Sequence, residues 1–188
     1  MATFLRDSYP EPLRTDMQCT FSLVSSNEFD DDNPFPDTTL SLFLYRVTIN
    51  EHLRNNPRMN AHSNVQIPLA VDLHYLLTVW ADNVRAEHTI LAWTMRQLYL
   101  YANLDTGSLG DEAEWSPDDY IRVSPTELTT EDMMRIWDSL KPSYRLSVTY
   151  RANVVRIDSD TQEDARPVLA TRFSFTDEPD ASRAESGS

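Results

Sequence analysis

The sequence has 188 residues, a formal net charge of −14 and 40% hydrophobic residues, which include four Trp, eight Tyr and seven Phe. This length and composition predict one folded domain with a sizeable core and exclude a chain that is disordered throughout. No apolar run is long enough to cross a membrane, the first seven residues lack a signal-peptide pattern, and a single cysteine, Cys19, excludes an internal disulfide. We therefore expect a protein made in the cytoplasm, with no membrane partner.

The negative charge is concentrated in four stretches. Residues 28–37, 105–119, 158–164 and 177–188 together hold 19 of the 30 acidic residues and one basic residue, Arg183. The remainder holds 11 acids and 15 bases, a formal charge of +4. Acidic loops repel phosphate backbones, so this distribution argues against nucleic-acid binding. Solvated loops are the favoured interpretation of each run, ahead of metal sites.

The first part of the chain alternates between irregular and strand-like patterns. Residues 1–17 contain two prolines and are expected to form an extended N-terminal arm. Apolar alternation over 19–23 predicts a short strand. The acidic, proline-bearing residues 30–37 predict a loop. Residues 40–49 barely alternate and predict a strand buried on both faces, and 50–67 have an irregular pattern.

The middle of the chain carries the clearest periodic signals. Residues 69–79 alternate between an apolar and a more polar face, which predicts a strand. Residues 85–102 predict a helix, with an apolar stripe formed by Ile90, Leu91, Thr94, Met95, Leu98, Tyr101 and Ala102. A short strand is predicted over 120–123. A second helix is predicted over 130–140, with Thr129 as its N-cap.

The last third predicts strands and then a tail. Apolar residues alternate over 146–154 and the alternation slips at Val154-Val155, which predicts a strand with a bulge. Residues 168–175 are a predicted antiparallel partner for that strand, and 176–188 have the composition of a disordered acidic tail. The core domain is thus expected to span 18–175. It is predicted to be an α+β fold, with a mixed, mostly antiparallel sheet of about five strands and two helices packed on one face.

One pair of residues resembles part of a catalytic site. Asp72 and His74 lie on the same face of the predicted strand, with Thr78 further along, and a carboxylate that orients a histidine is half of a nucleophilic relay. The nucleophile is missing, because Ser63 and Ser108 lie in no strand-turn-helix context. A hydrogen-bonded structural histidine is the favoured interpretation, so no catalytic residue is assigned.

Metal and cofactor sites find no support. Three glycines are too few for a phosphate-binding loop. His52 and His62 are ten residues apart without a second pair of ligands. Trp93 and Trp137 are interpreted as core or interface anchors. A group of acids lacks the spacing of a calcium-binding EF-hand loop: Asp111, Glu112, Glu114, Asp118 and Asp119. The residues alone therefore predict an acidic α+β domain with a binding or structural role.

Three segments of the chain, taken together, resemble a known family. They are residues 42–55, residues 67–80 with the following Glu87-His88 helix, and residues 136–157. Their order and spacing resemble the N-terminal domain of the tail-cap (tail-terminator) proteins of extracellular contractile injection systems. These systems are related to the antifeeding prophage and the Photorhabdus virulence cassettes. The resemblance covers about residues 18–175, and the stretch around 73–78 is its most specific part.

The resemblance implies a phage tail-terminator-like fold and a structural, non-enzymatic role. Family members form a six-fold ring on the distal end of the inner tube and sheath, which ends polymerisation and stabilises the particle. The implied partners are further copies of the chain, the inner tube protein and the sheath protein. Asp72 and His74 then occupy fold-forming or interface positions. Family members usually begin with a helix before the first strand, and the N-terminal arm expected here departs from that pattern.

Three other functions remain open at this point. A baseplate or tube-initiator component of the same machine would carry similar surfaces, and its location on the particle would distinguish it. An acidic inhibitor or decoy that occupies a basic site would act as a monomer. An enzyme that uses His74 would lose turnover, but not assembly, on substitution of that residue.

Overall fold

The computed structural model describes residues 1–50, 69–105 and 120–157. These residues form α-helices in four ranges: α1 Ala2–Ser8, α2 Glu11–Asp16, α3 Val84–Leu100 and α4 Thr130–Asp138. They form strands in six ranges: β1 Thr20–Val24, β2 Thr39–Ile49, β3 Leu69–Trp80, β4 Asn103–Asp105, β5 Tyr120–Thr126 and β6 Ser147–Ile157. A 3-10 turn covers Ser26–Phe29.

The six strands form one mixed sheet in the order β1-β2-β3-β6-β5-β4. β1 and β2 are parallel, and every other neighbouring pair is antiparallel. β3 is central, because β2 lies on one side of it and β6 on the other. The predicted α+β class and mostly antiparallel sheet are confirmed. β4 escaped prediction because three residues are too few to show an alternating pattern.

Helices cover both faces of the sheet, so the prediction of helices on a single face is wrong. Leu77 and Val79 of β3 face the first core, which also contains residues of α1 and α3. Leu76 and Trp80 alternate with them and face the second core, which contains Trp137 of α4. Because this end of β3 is apolar on both faces, burying it requires helices or loops packed on both faces of the sheet.

The N-terminal residues are helical, so the expected extended arm and the departure from the family pattern are both wrong. α1 buries Ala2 and Leu5 against the first core. Tyr9 follows at helical spacing and donates a hydrogen bond from its hydroxyl to the Met17 carbonyl at 2.7 Å. Pro12 lies in the first turn of α2, where proline is tolerated because its missing N–H has no helical partner.

β2 is buried on both faces along its inner half and exposed along its outer half, so the prediction for 40–49 is half right. The inner residues are buried: Thr39, Leu40, Ser41 and Leu42. Leu44, Val47 and Ile49 in the outer half are 39%, 53% and 58% exposed. β1 pairs with β2 only as far as Phe43, so the cover ends there.

The two predicted helices are confirmed with different details. α3 begins after Asn83, whose side chain accepts a hydrogen bond from the Ala86 amide at 2.8 Å. The predicted stripe holds for its central members but not for Met95 and Tyr101, which are exposed. α4 has the predicted N-cap, because the Thr129 hydroxyl accepts from the Asp132 amide at 3.1 Å.

β6 contains the predicted bulge. Val71 pairs with Val155, and two residues further along β3, Leu73 pairs with Ala152. Two residues of β6 therefore lie opposite Asp72, one position from the predicted slip. The predicted irregular segment from 51 onwards, the strand at 168–175, the tail at 176–188 and the boundary of the domain at 175 lie outside the described residues.

Candidate functional site

Asp72, His74 and Thr78 of β3 each bond to a residue in or directly after a neighbouring strand. The His74 ring nitrogen Nε2 lies 3.0 Å from the Thr48 hydroxyl of β2. Asp72 Oδ1 accepts a hydrogen bond from the side-chain Nδ2 of Asn50 at 3.1 Å. The Thr78 hydroxyl lies 2.8 Å from that of Ser147 at the start of β6. These polar groups join β3 to β2 and β6.

His74 lies in a basic environment. Burial, then the guanidinium groups of Arg46 and Arg151, lower the pKa of His74, while the Asp72 carboxylate acts in the opposite direction. The ring is therefore neutral at pH 7 and able to share a hydrogen bond with the Thr48 hydroxyl. Arg151 Nε is buried and has no hydrogen-bond partner.

Cys19 is not an activated thiol. Burial raises its pKa to about 12, so the sulfur is protonated at neutral pH, and the protonated form is a poor nucleophile and metal ligand. Within residues 1–50, 69–105 and 120–157, no group of three or more His, Cys, Asp and Glu residues could hold a metal ion. Ser63, Ser108, His52, His62 and the acids at 111–119 lie outside the described residues.

Trp93 and Trp137 pack against the cores, which fits the core part of their interpretation. Trp137 is buried in the second core with its ring 6.1 Å from that of Trp80. Trp93 is partly buried against the first core, with its ring 4.9 Å from Tyr9. The indole N–H of Trp80 donates to the Ser41 hydroxyl at 2.8 Å, and the Arg145 guanidinium lies 4.8 Å from the centre of a Trp80 ring.

The exposed large apolar side chains of the described residues include two groups. The first lies at the outer end of β2 and β3: Leu44, Val47, Ile49 and Leu69. The second lies where α3 leads into β4: Tyr99, Leu100 and Tyr101. Exposed apolar groups of this kind often mark contact surfaces. Sequence reasoning missed both sets, because a strand or helix pattern does not reveal which positions lack a neighbour.

None of the described helices is both long enough and apolar enough to cross a bilayer. Taken together, the described residues define an α+β domain in which the Asp72 and His74 region holds strands together and apolar groups lie free on the surface. Exposed apolar groups of this kind fit a domain that makes contacts with other proteins.

The chain belongs to the family of Pvc16 N-terminal domains, whose sequence profile matches residues 1–171. This match confirms the resemblance to the tail-cap proteins of contractile injection systems. No curated protein matches the sequence.

Two of the solved structures that resemble the chain are a terminator and a cap of contractile injection systems. One is the sheath/tube terminator, in its extended state, of the extracellular contractile injection system PVC. It shares 22% identity and a TM-score of 0.54, over 96% of this chain and 61% of that chain. The other is the tube-terminating cap of the anti-feeding prophage, with 23% identity and a TM-score of 0.48, over 74% of this chain and 50% of that chain. The likeness to the PVC terminator establishes a shared fold. The chain spans less than two thirds of the length of either protein.

Proposed function

We propose that this chain is a tail-cap subunit that ends the inner tube and sheath of a contractile injection system. The observation that carries the proposal is the match of residues 1–171 to the Pvc16 N-terminal domain family. The fold shared with the PVC sheath/tube terminator over 96% of the chain supports it. The proposal concerns the domain that the two proteins have in common.

The role is structural and not enzymatic. Asp72 and His74 are engaged with Asn50 and Thr48 across the strands, and a catalytic pair would instead need its polar atoms directed at a substrate. The protonated Cys19 thiol offers no nucleophile. Both observations support a domain whose polar groups maintain its shape.

The cap acts as a ring of identical subunits, with six copies as the expected number. A ring needs heterologous contacts in which two different surfaces of each subunit meet. The acidic residues in 28–37 and the remainder of the chain outside the four acidic stretches, which has a formal charge of +4, supply regions of opposite sign. Attraction between neighbouring subunits would then weaken as salt screens it.

Electron microscopy of particles assembled with and without the gene tests the cap role. Without the gene, tubes and sheaths should have uncontrolled lengths or open at the end away from the baseplate. A gene copy supplied in trans should restore uniform particles. Particles of normal length with an intact far end would overturn the proposal and direct attention to the baseplate.

Native mass spectrometry of the purified chain tests the ring. We expect a hexamer at low ionic strength and a growing share of smaller species as salt rises. A monomer under all conditions would contradict a preformed ring, and it is the result that an acidic inhibitor would give. If the share of hexamer does not change with salt concentration, attraction between charged surfaces does not hold the ring together. That result would not bear on the cap role.

A further inference from the structure

Two cavities lie side by side at the end of the sheet where β2 begins and β3 ends. Their volumes are about 470 and 240 Å³, and Arg145 lines both. Tyr144 and Leu146 line the larger cavity and are exposed. Phe35 and Trp80 of the second core line the smaller one. The two cavities form one surface with apolar walls, which we call the groove.

The groove is acidic. Asp32 and Glu87 line the larger cavity, and Asp37 and Asp82 line the smaller one. Arg145 supplies one positive charge between these four carboxylates. The groove therefore attracts a cationic side chain, and its apolar walls favour a cation that has aromatic or aliphatic neighbours.

The Trp80 side of the groove is held in place before anything binds. The Arg145 guanidinium lies 4.8 Å from the centre of a Trp80 ring. Trp80 is buried, and its indole N–H is bonded to the Ser41 hydroxyl. Glu87 lies in the first turn of α3, after the Asn83 cap. A surface held by such contacts loses little conformational freedom on binding, so more of the contact energy remains as affinity.

A second surface, which we call the aromatic corner, lies at the other end of α3. Tyr99 is 81% exposed, and Leu100 and Tyr101 beside it are also exposed. β4 follows directly, and its pairing with β5 places Tyr120 and Arg122 next to it. Tyr120 is 63% exposed. Tyrosine and arginine are among the residues most enriched where interfaces carry their binding energy.

The charge of the aromatic corner is opposite to that of the groove. Arg96 lies one turn before Tyr99 on α3, and both Arg96 and Arg122 are exposed. A guanidinium binds a carboxylate through two parallel hydrogen bonds and stacks on an aromatic ring. Arginine side chains of the corner can therefore bond to the carboxylates of the groove while the tyrosines of the corner pack against Tyr144 and Leu146.

One helix separates the two surfaces. Glu87 in the groove and Tyr99 in the corner are twelve residues apart on α3, about 18 Å along the helix axis. A subunit therefore cannot dock its own corner into its own groove. Contact between the two surfaces joins different copies and leaves each pair with one free groove and one free corner. Such a heterologous contact is the kind that generates rings.

We propose that the aromatic corner of one copy of this chain docks into the groove of the next copy. The proposal rests on the proposed function, because ring formation brings the copies together, and it names the two surfaces that meet. Opposite charge selects a second copy as the occupant. The same chain carries four carboxylates around its groove and two exposed arginines with three exposed tyrosines at its corner.

Mixing two variants tests the contact by native mass spectrometry. The groove variant carries Asp32→Arg and Glu87→Arg, and the corner variant carries Tyr99→Ser and Arg122→Glu. Each variant alone has lost one of the two surfaces, so we expect monomers where the wild type gives hexamers. In an equal mixture, the intact corner of the first variant docks into the intact groove of the second. We expect dimers with one copy of each variant and nothing larger, because the remaining two surfaces are altered.

Matched controls separate the contact from an effect of net charge. Asp30→Arg with Asp31→Arg adds the same positive charge as the groove variant, and both of these described residues lie outside the two cavities. Arg135→Glu makes the charge change of the corner variant at an exposed position of α4 instead. Both controls should remain hexameric.

The outcomes distinguish the docking from the ring itself. Hexamers from the groove variant or the corner variant would overturn the docking and leave the ring intact. Monomers in the mixture would also overturn the docking, provided that each variant retains the circular dichroism spectrum of the wild type. If a variant has lost that spectrum, Asp32→Asn and Arg122→Gln replace the two variants, and an unchanged share of hexamer for either would overturn the docking. A wild type that is monomeric at every salt concentration would overturn the ring and the docking together.

Discussion

The two halves of β2 have similar sequences and different surroundings. The inner half buries Leu40 and Leu42 completely, while the outer half leaves Val47 and Ile49 in contact with water. Both halves pair with β3. The difference arises beyond the pair, because β1 lies beside only the inner half. Burial of an apolar strand is thus decided by its neighbours, and the outer half remains available for a further contact.

The largest expected effect is a difference in lost stability between two matched leucine substitutions, one in each half of β2. Leu42→Ala should lower the free energy of unfolding by about 2–5 kcal/mol, because it leaves a cavity in the first core. Leu44→Ala, two residues further along the same strand, should cost less than half as much since its side chain is partly exposed. Urea unfolding followed by tryptophan fluorescence measures both. Equal losses would show that the outer half is as well covered as the inner half.

Removal of either of two hydroxyl groups of β2 is expected to have a smaller effect on stability. Ser41→Ala removes the acceptor of the buried Trp80 indole N–H and should cost about 1–3 kcal/mol. Thr48→Ala removes the contact to His74 in the outer half and should change stability by about 0.5 kcal/mol or less. The same unfolding experiment compares them. A larger loss for Thr48→Ala would mean that the outer half also depends on its polar contacts.

The smallest effect is a pH dependence confined to the outer half. The pKa of His74 is lowered in the folded state from its ordinary value of 6.5. As pH falls below that value, the unfolded chain binds a proton more readily, so stability decreases. Unfolding of the wild type and of His74→Gln between pH 7.5 and pH 5, a range around that ordinary value, should show a smaller decrease for the variant. A wild type that gains stability relative to the variant on acidification would show that attraction to Asp72 outweighs burial and the two arginines.

Local signals allowed much of this fold to be predicted. The alternation of β3 and the Thr129 cap of α4 depend on residues close in sequence, and both predictions are confirmed. The helices α1 and α2 were missed because prolines suggested an extended chain, although Ala2, Leu5 and Tyr9 already have helical spacing. The exposure of the outer half of β2 could not be predicted, since it depends on where β1 ends in space.

The candidate site follows the same rule. A fold-forming role for Asp72 and His74 was inferred from the resemblance and agreed with the absence of a plausible nucleophile. Their partners, Asn50 and Thr48, depend on the strand register after the shift near Leu44, which a sequence pattern does not specify. The sequence shows which residues are apolar, but which of them are exposed depends on the assembled sheet.

The central position of β3 has a consequence for synthesis of the protein. Thr78 and its partner Ser147 are 69 residues apart in sequence. At a translation rate of about 5–20 residues per second, β3 waits roughly 3–14 s for β6 to be made. During that interval one edge of the apolar strand β3 has no paired strand. Nascent chains on neighbouring ribosomes can pair with each other at this edge. Slower initiation, which spaces ribosomes further apart, should therefore raise the yield of correctly folded protein.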